Sequence, residues 1–162
     1  MPVEVTVDNV SSQKNCPAEK YFQEWVETAL TVAGAAVDNS AIDIRVVDEA
    51  EIQALNARYR QKDAPTNVLS FPFEPPADVP NNFLGDVIIC AAVVEREAKA
   101  QGKTLDFHWA HMVVHATLHL LGFDHQTEAQ AEQMEALECV ILNRLGFPDP
   151  YRWPIEEHET DD

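Results

Sequence analysis

Residues 108–125 read HWAHMVVHATLHLLGFDH. Positions 108–122 form an apolar run punctuated by histidines and closed by Gly122, the pattern of an apolar helix stopped by a glycine. His115 and His119 are four residues apart, so they share one helix face and their imidazoles can reach a common ion. Gly122 can take a left-handed conformation, after which the chain turns back and can bring His125 to a third corner. Three neutral histidines with no further ligand nearby leave a position open for water, the pattern of a catalytic rather than a closed structural zinc site. A single histidine on an apolar helix is ordinarily a packed or surface residue, but packing gives no reason for three at this spacing around a helix-ending glycine. His111 and His108 lie one and two turns further from the helix end, where His125 cannot easily meet them. His111 reads as packing or as support for a ligand, and His108 as structural or surface. Asp124 has two readings, orienting a ligand imidazole or capping the helix that follows.

Upstream of this stretch, VEVTV at 3–7 alternates as a strand does, and IDIRVV at 42–47, TNVLSFPF at 66–73 and LGDVIIC at 84–90 read as three more. Between them, Pro17 opens a helix in which Phe22, Trp25, Val26, Ala29 and Leu30 recur at helical spacing. Asp48 is placed to N-cap a second helix over 48–60, and a third over 91–102 closes on Gly102. Residues 72–82, with four prolines, read as loop. Downstream, 127–146 reads as the last helix, with Thr127 and Gln130 as a capping box. The order β-α-β-α-β-β-α-α-α predicts a single α+β domain over 1–155. In it, helices pack on a small sheet of about four strands, and the β-α-β starts imply some parallel pairing.

Composition narrows the function classes. The chain has 162 residues, 46% hydrophobic and 24% charged, which excludes a largely disordered chain. No stretch is long and apolar enough to span a membrane, and MPVEVTVDNV lacks the cationic start and apolar run of a secretory signal. Cys16, Cys90 and Cys139 are odd in number and far apart, so free thiols in a reducing cytoplasm are expected, with Cys90 and Cys139 buried. The net charge is −17, from 28 acids and 11 bases, and residues 156–162 read as an acidic, frayed tail. Such a surface repels polyanions. A nucleic acid would have to be held by a local basic patch, a metal ion or another protein. Arg45, Arg58, Arg60 and Lys62 concentrate four of the bases in eighteen residues.

The spacing H-x3-H-x2-G-x2-H matches the zinc motif of the metzincin peptidases, except that Ala116 stands where those enzymes carry a glutamate as general base. General-base assistance contributes roughly 10²–10⁴ in rate, so the zinc pattern is kept while the peptidase base is missing. Arginine forks suit phosphate, and an open-site metal beside an arginine makes a phosphodiester hydrolase plausible. From spacing alone, the bases at 58–62 are equally well read as solvated charges at a helix end.

HATLHLLGFDH resembles the H-G-x-L-H-L-x-G-[FYW]-D-H signature of the YbeY family of bacterial endoribonucleases. LNARYRQKDAPTNVLSFPF at 55–73 and LGDVIIC at 84–90 resemble its two other shared blocks, and the resemblance runs over roughly 40–152. It implies a cytoplasmic, metal-dependent, single-strand-specific endoribonuclease acting in ribosomal RNA maturation, notably at the small-subunit 3′ end, and in ribosome quality control. The implied zinc ligands are His115, His119 and His125, one Zn2+ per chain, with Arg60 and His115 as the residues essential to activity. The implied partners are single-stranded ribosomal RNA and the ribosome, not DNA. Ala116 departs from the signature's glycine, and alanine suits a helix interior better. Two other readings stay open: a zinc hydrolase of peptides or amides drawing a base from Glu128 or another distant residue, and a non-catalytic, zinc-stabilised ribosome-assembly factor.

Overall fold

The computed structural model describes residues 3–13, 15–35, 38–75 and 82–152. The elements follow the order read from the sequence: β1 (Glu4–Asn9), α1 (Glu19–Ala33), β2 (Ala41–Val47), α2 (Glu49–Arg60), β3 (Val68–Pro72), β4 (Phe83–Cys90), α3 (Ala91–Gln101), α4 (Leu105–Leu120) and α5 (Glu128–Arg144). A 3-10 turn at Pro150–Arg152 ends the described chain. The domain boundary at 155 and the acidic tail at 156–162 lie outside the described residues, as do positions 76–81 of the proline-rich loop.

The fold is α+β with a mixed sheet of order β1-β2-β4-β3. β1, β2 and β4 are parallel and β3 is antiparallel to β4. β4 is central, and its apolar run 87–90 is buried on both faces. One face carries the main core, where Ile42, Ile44, Val46, Val87 and Ile89 meet α1 and α4. The five α1 residues picked out by their spacing are its buried stripe, and Phe22 packs edge-to-face on Trp109 of α4 at 5.7 Å. A smaller core of Val47, Ile52, Leu69, Ile88, Cys90 and Val93 holds α2 on the opposite face.

Helix termini depart from expectation in instructive ways. α4 starts three residues before His108, where the Thr104 hydroxyl accepts the Phe107 N–H; the helix is buried nearly all round, so no apolar stripe marked where it began. α5 has the predicted capping box. Ala18 occupies the N-cap position of α1 with no side-chain cap, and Pro17 stands just before it rather than inside the first turn. Asp48 occupies the N-cap position of α2, but its carboxylate accepts the main-chain N–H and the hydroxyl of Ser12 instead of capping. Cys90 is buried, whereas Cys139 is only partly so and donates its thiol to Asp149 Oδ1 at 3.2 Å.

Gly85 fixes how closely the end of α4 approaches the sheet. The register between β2 and β4 shifts there, with Ile42 opposite Gly85 and Ala41 opposite Phe83, so Leu84 is the extra residue of a bulge. Gly85 has φ +146°, and a Cβ on it would run into the Phe71 carbonyl oxygen and stand 2.9 Å from Leu120 Cδ2. Leu120 closes the histidine helix, so this glycine lets the helix end rest on the β3–β4 edge. Gly85→Ala is expected to lower the urea midpoint by an amount worth about 1–3 kcal/mol, the usual cost of overpacking, with the slope of the transition unchanged.

Candidate metal centre

α4 presents His108, His111, His115 and His119 at spacings of three and four, a single row along the helix. Only the last two meet His125. After Leu120 the helix closes by bonds from Gly122 N–H to the His119 carbonyl (3.0 Å) and from Phe123 N–H to the Leu118 carbonyl (3.1 Å), with Gly122 at φ +102°. That reversal brings the His125 ring centroid to 5.2 Å from His119 and 5.7 Å from His115; His115 and His119 are 4.6 Å apart. One ligand nitrogen from each of the three lies within 4.8 Å of the others, so they can converge on one ion. Both sequence readings of Asp124 are corrected: Thr127 caps α5, and Asp124 Oδ1 accepts the main-chain N–H of His125 at 2.7 Å, holding the turn rather than an imidazole.

The residue that sequence reasoning missed is Glu138. It is fully buried on α5; its Oε2 accepts from His115 Nδ1 at 2.6 Å, and its Oε1 accepts from His111 Nε2 at 2.9 Å and from the Tyr151 hydroxyl. Burial pushes the carboxyl pKa up, but the hydrogen bonds from His111 and His115 outweigh it and hold the value down to about 2. Because His115 spends Nδ1–H on Glu138, its Nε2 is the nitrogen with a free lone pair; this is the carboxylate–histidine arrangement that orients metal ligands. His119 has its pKa lowered by burial and by the neighbouring His115 and His125, which keeps it in the neutral, ligating form. The donor set therefore fits a borderline-soft divalent ion such as zinc.

His111 and His108 take the supporting role in their respective readings. The His111 pKa is lowered by burial against the pull of Glu138. Its Nδ1 is buried without a partner, so a second proton there would be stranded; the neutral Nε2–H form fits. His108 is buried rather than exposed, and its Nε2 meets Glu97 at 2.8 Å. Glu97 also accepts from Asn67 Nδ2 at 3.1 Å, which ties the start of β3 to α3 and α4.

Arg60 comes from the other side of the sheet. It is the last residue of α2, and Gln61 turns left-handed behind it at φ +57°. Two adjoining cavities of about 320 and 200 Å³ share Arg60, Ser70 and His119; the smaller also takes in His115, Ala116 and His125. Arg45, Arg58 and Lys62 do not line them: Arg45 pairs with Glu51 at 3.1 Å, and Arg58 lies over the Tyr59 ring. Among the described residues the basic patch thus reduces, at the site, to one guanidinium. Glu128 stands in the first turn of α5 and does not line the cavities either.

Fold and site together define a small α+β domain in which a three-histidine cluster, two from α4 and one from the turn after it, faces an arginine across a cleft. The chain belongs to the YbeY family: the family model described as Endoribonuclease YbeY matches residues 6–146. That membership makes the chain an endoribonuclease, a hydrolase with an RNA substrate and a role in rRNA processing. The solution structure of a Thermotoga maritima protein is similar at a TM-score of 0.55 and 23% identity, covering 87% of this chain and 92% of that one; the likeness is one of fold. No helix among the described residues is long and apolar enough to cross a membrane.

Glu138→Gln should weaken zinc binding about 10–100-fold, the usual cost of losing an orienting partner, as read by competition with a chromophoric chelator. Asp124→Asn, which keeps an oxygen for the His125 N–H, should change it far less.

Proposed function

We propose that the chain is a zinc-dependent, single-strand-specific endoribonuclease of the cytoplasm that matures the 3′ end of small-subunit ribosomal RNA and serves in ribosome quality control. The observation that carries this reading is the shared cavity in which Arg60 faces His115, His119 and His125. The three histidines would hold the ion, and an ion there supplies Lewis-acid polarisation at a phosphoryl oxygen. Arg60 provides two parallel N–H donors for the phosphate and offsets the negative charge that grows as the phosphodiester is cut. Glu138 keeps His115 in one tautomer and one orientation. It already accepts three hydrogen bonds, is fully buried and lines neither cavity, so it orients His115 rather than taking up a proton in the reaction.

The lining favours a phosphodiester over a peptide bond. Among the described residues no carboxylate lines the cavity that holds all three histidines, Asp124 lines only the adjoining one, and Ala116 occupies the place of the peptidase glutamate. An arginine is there instead. The body of the protein is acidic, so free RNA meets few positive charges, and contacts on the ribosome would supply the remaining affinity.

Two measurements check this. With a labelled single-stranded fragment of the rRNA 3′ end, Arg60→Ala should cut about 10²–10³-fold more slowly while keeping its zinc, as loss of a transition-state donor does. His119→Ala should lose both zinc and cleavage. Equal cutting by wild type and both variants would leave the assembly-factor reading in its place. Second, binding of the bare strand should depend weakly on salt, with a log–log slope of about −0.7 to −1.4, as for one or two neutralised phosphates.

A further inference from the structure

β3 is an edge strand that pairs with β4 alone. Phe73 N–H donates to the Leu84 carbonyl at 3.1 Å and Cys90 N–H to the Asn67 carbonyl at 2.9 Å. These bonds set the alternation of the antiparallel ladder: positions 67, 69, 71 and 73 turn their main-chain groups to β4, and positions 68, 70 and 72 turn theirs outward. The Val68 N–H is taken up by Asn67 Oδ1 at 2.7 Å, and Pro72 has no N–H. Within β3 that leaves the Ser70 N–H as the donor on the free edge. The pleat also sends Leu69 and Phe71 into the small core under α2, and the Ser70 side chain to the opposite face, toward α4. There Ser70 lines both cavities beside Arg60 and His119, half-buried, its hydroxyl without a hydrogen-bond partner among the described residues. Its place is held firmly, because the Asn67–Glu97–His108 chain ties the start of this strand to the histidine helix.

Building on the ribonuclease reading, we propose that Ser70 contacts the substrate strand. Its hydroxyl and its main-chain N–H donate to non-bridging oxygens of the phosphate that Arg60 grips, and the single strand runs along the free edge of β3. A hydroxyl and a guanidinium lining one cleft, with a free main-chain N–H on the strand edge beside them, suit a phosphate diester.

The test compares wild type, Ser70→Ala and Ser70→Thr, with zinc content and melting midpoint recorded for each. Two readouts are used: cleavage of the labelled RNA, and anisotropy binding of a 2′-fluoro strand of the same sequence. Ser70→Ala should lower kcat/KM about 10–100-fold and weaken strand binding, with zinc and melting unchanged, as loss of a hydrogen bond to a charged group does. Ser70→Thr keeps the hydroxyl and should restore most of both. Wild-type cleavage and binding in Ser70→Ala would overturn the assignment, and so would an equal loss in Ser70→Thr, since packing rather than the hydroxyl would then be at fault. If wild type itself does not cut, the ribonuclease reading fails. The binding readout still decides Ser70: weaker binding by Ser70→Ala alone supports the contact, and equal binding overturns it.

Discussion

The buried carboxylate of Glu138 is the constraint on which the metal site depends. One side chain from α5 ties two histidines of α4 and the hydroxyl of Tyr151 to a single point. Burying a charge in a protein interior is costly unless hydrogen-bond donors offset it, and here His111, His115 and Tyr151 provide three. The return on that cost is orientation. His115 is fixed in tautomer and direction before any ion arrives, so the ion does not have to order it. His111 has no place in the ligand set, yet it stands on the same helix row because the carboxylate needs a second donor.

Around that point the fold assembles the cleft from both faces of one sheet. α4 lies on the main core and α2 on the smaller one. They are separated by the edge strand β3, and Arg60 at the end of α2 reaches round that edge to the histidines. Gly85 sets the height of the far end of α4 above the strand, and the His108–Glu97–Asn67 chain ties the near end. The placement of Arg60 against His115 and His119 is therefore set by the packing of sheet and helices, and His125 joins them from the turn that follows α4.

Much of this was legible in the residues. The nine elements were legible in order, because the strands are short alternating or apolar runs, α1 has an apolar stripe, and the later helices carry cap residues or a closing glycine. The triad was legible because histidine at four-residue spacing before a glycine has few other uses. Glu138 was harder to see, since its partners are 23 and 27 residues away in sequence. A trace of it exists: in MEALECVIL, Glu138 shares the stripe of Met134, Ile141 and Leu142, the buried face of α5. An acid on a buried stripe must have a partner, and the row of histidines on α4 offers one. Asp124 and the basic residues beside Arg60 were undecidable for the opposite reason: side chains near a helix end satisfy several local geometries, and only the folded cavity chooses among them. The antiparallel placement of β3 followed from tertiary pairing, which the element order leaves open.

The most direct test of this account is the anomalous-difference map of crystals of the zinc-loaded protein. The account predicts one peak per chain among His115 Nε2 and the rings of His119 and His125, with Glu138 still on Nδ1 of His115 and Nε2 of His111. A peak at His111 or on the Glu138 carboxylate would contradict it, because the carboxylate would then be a ligand rather than the anchor of one.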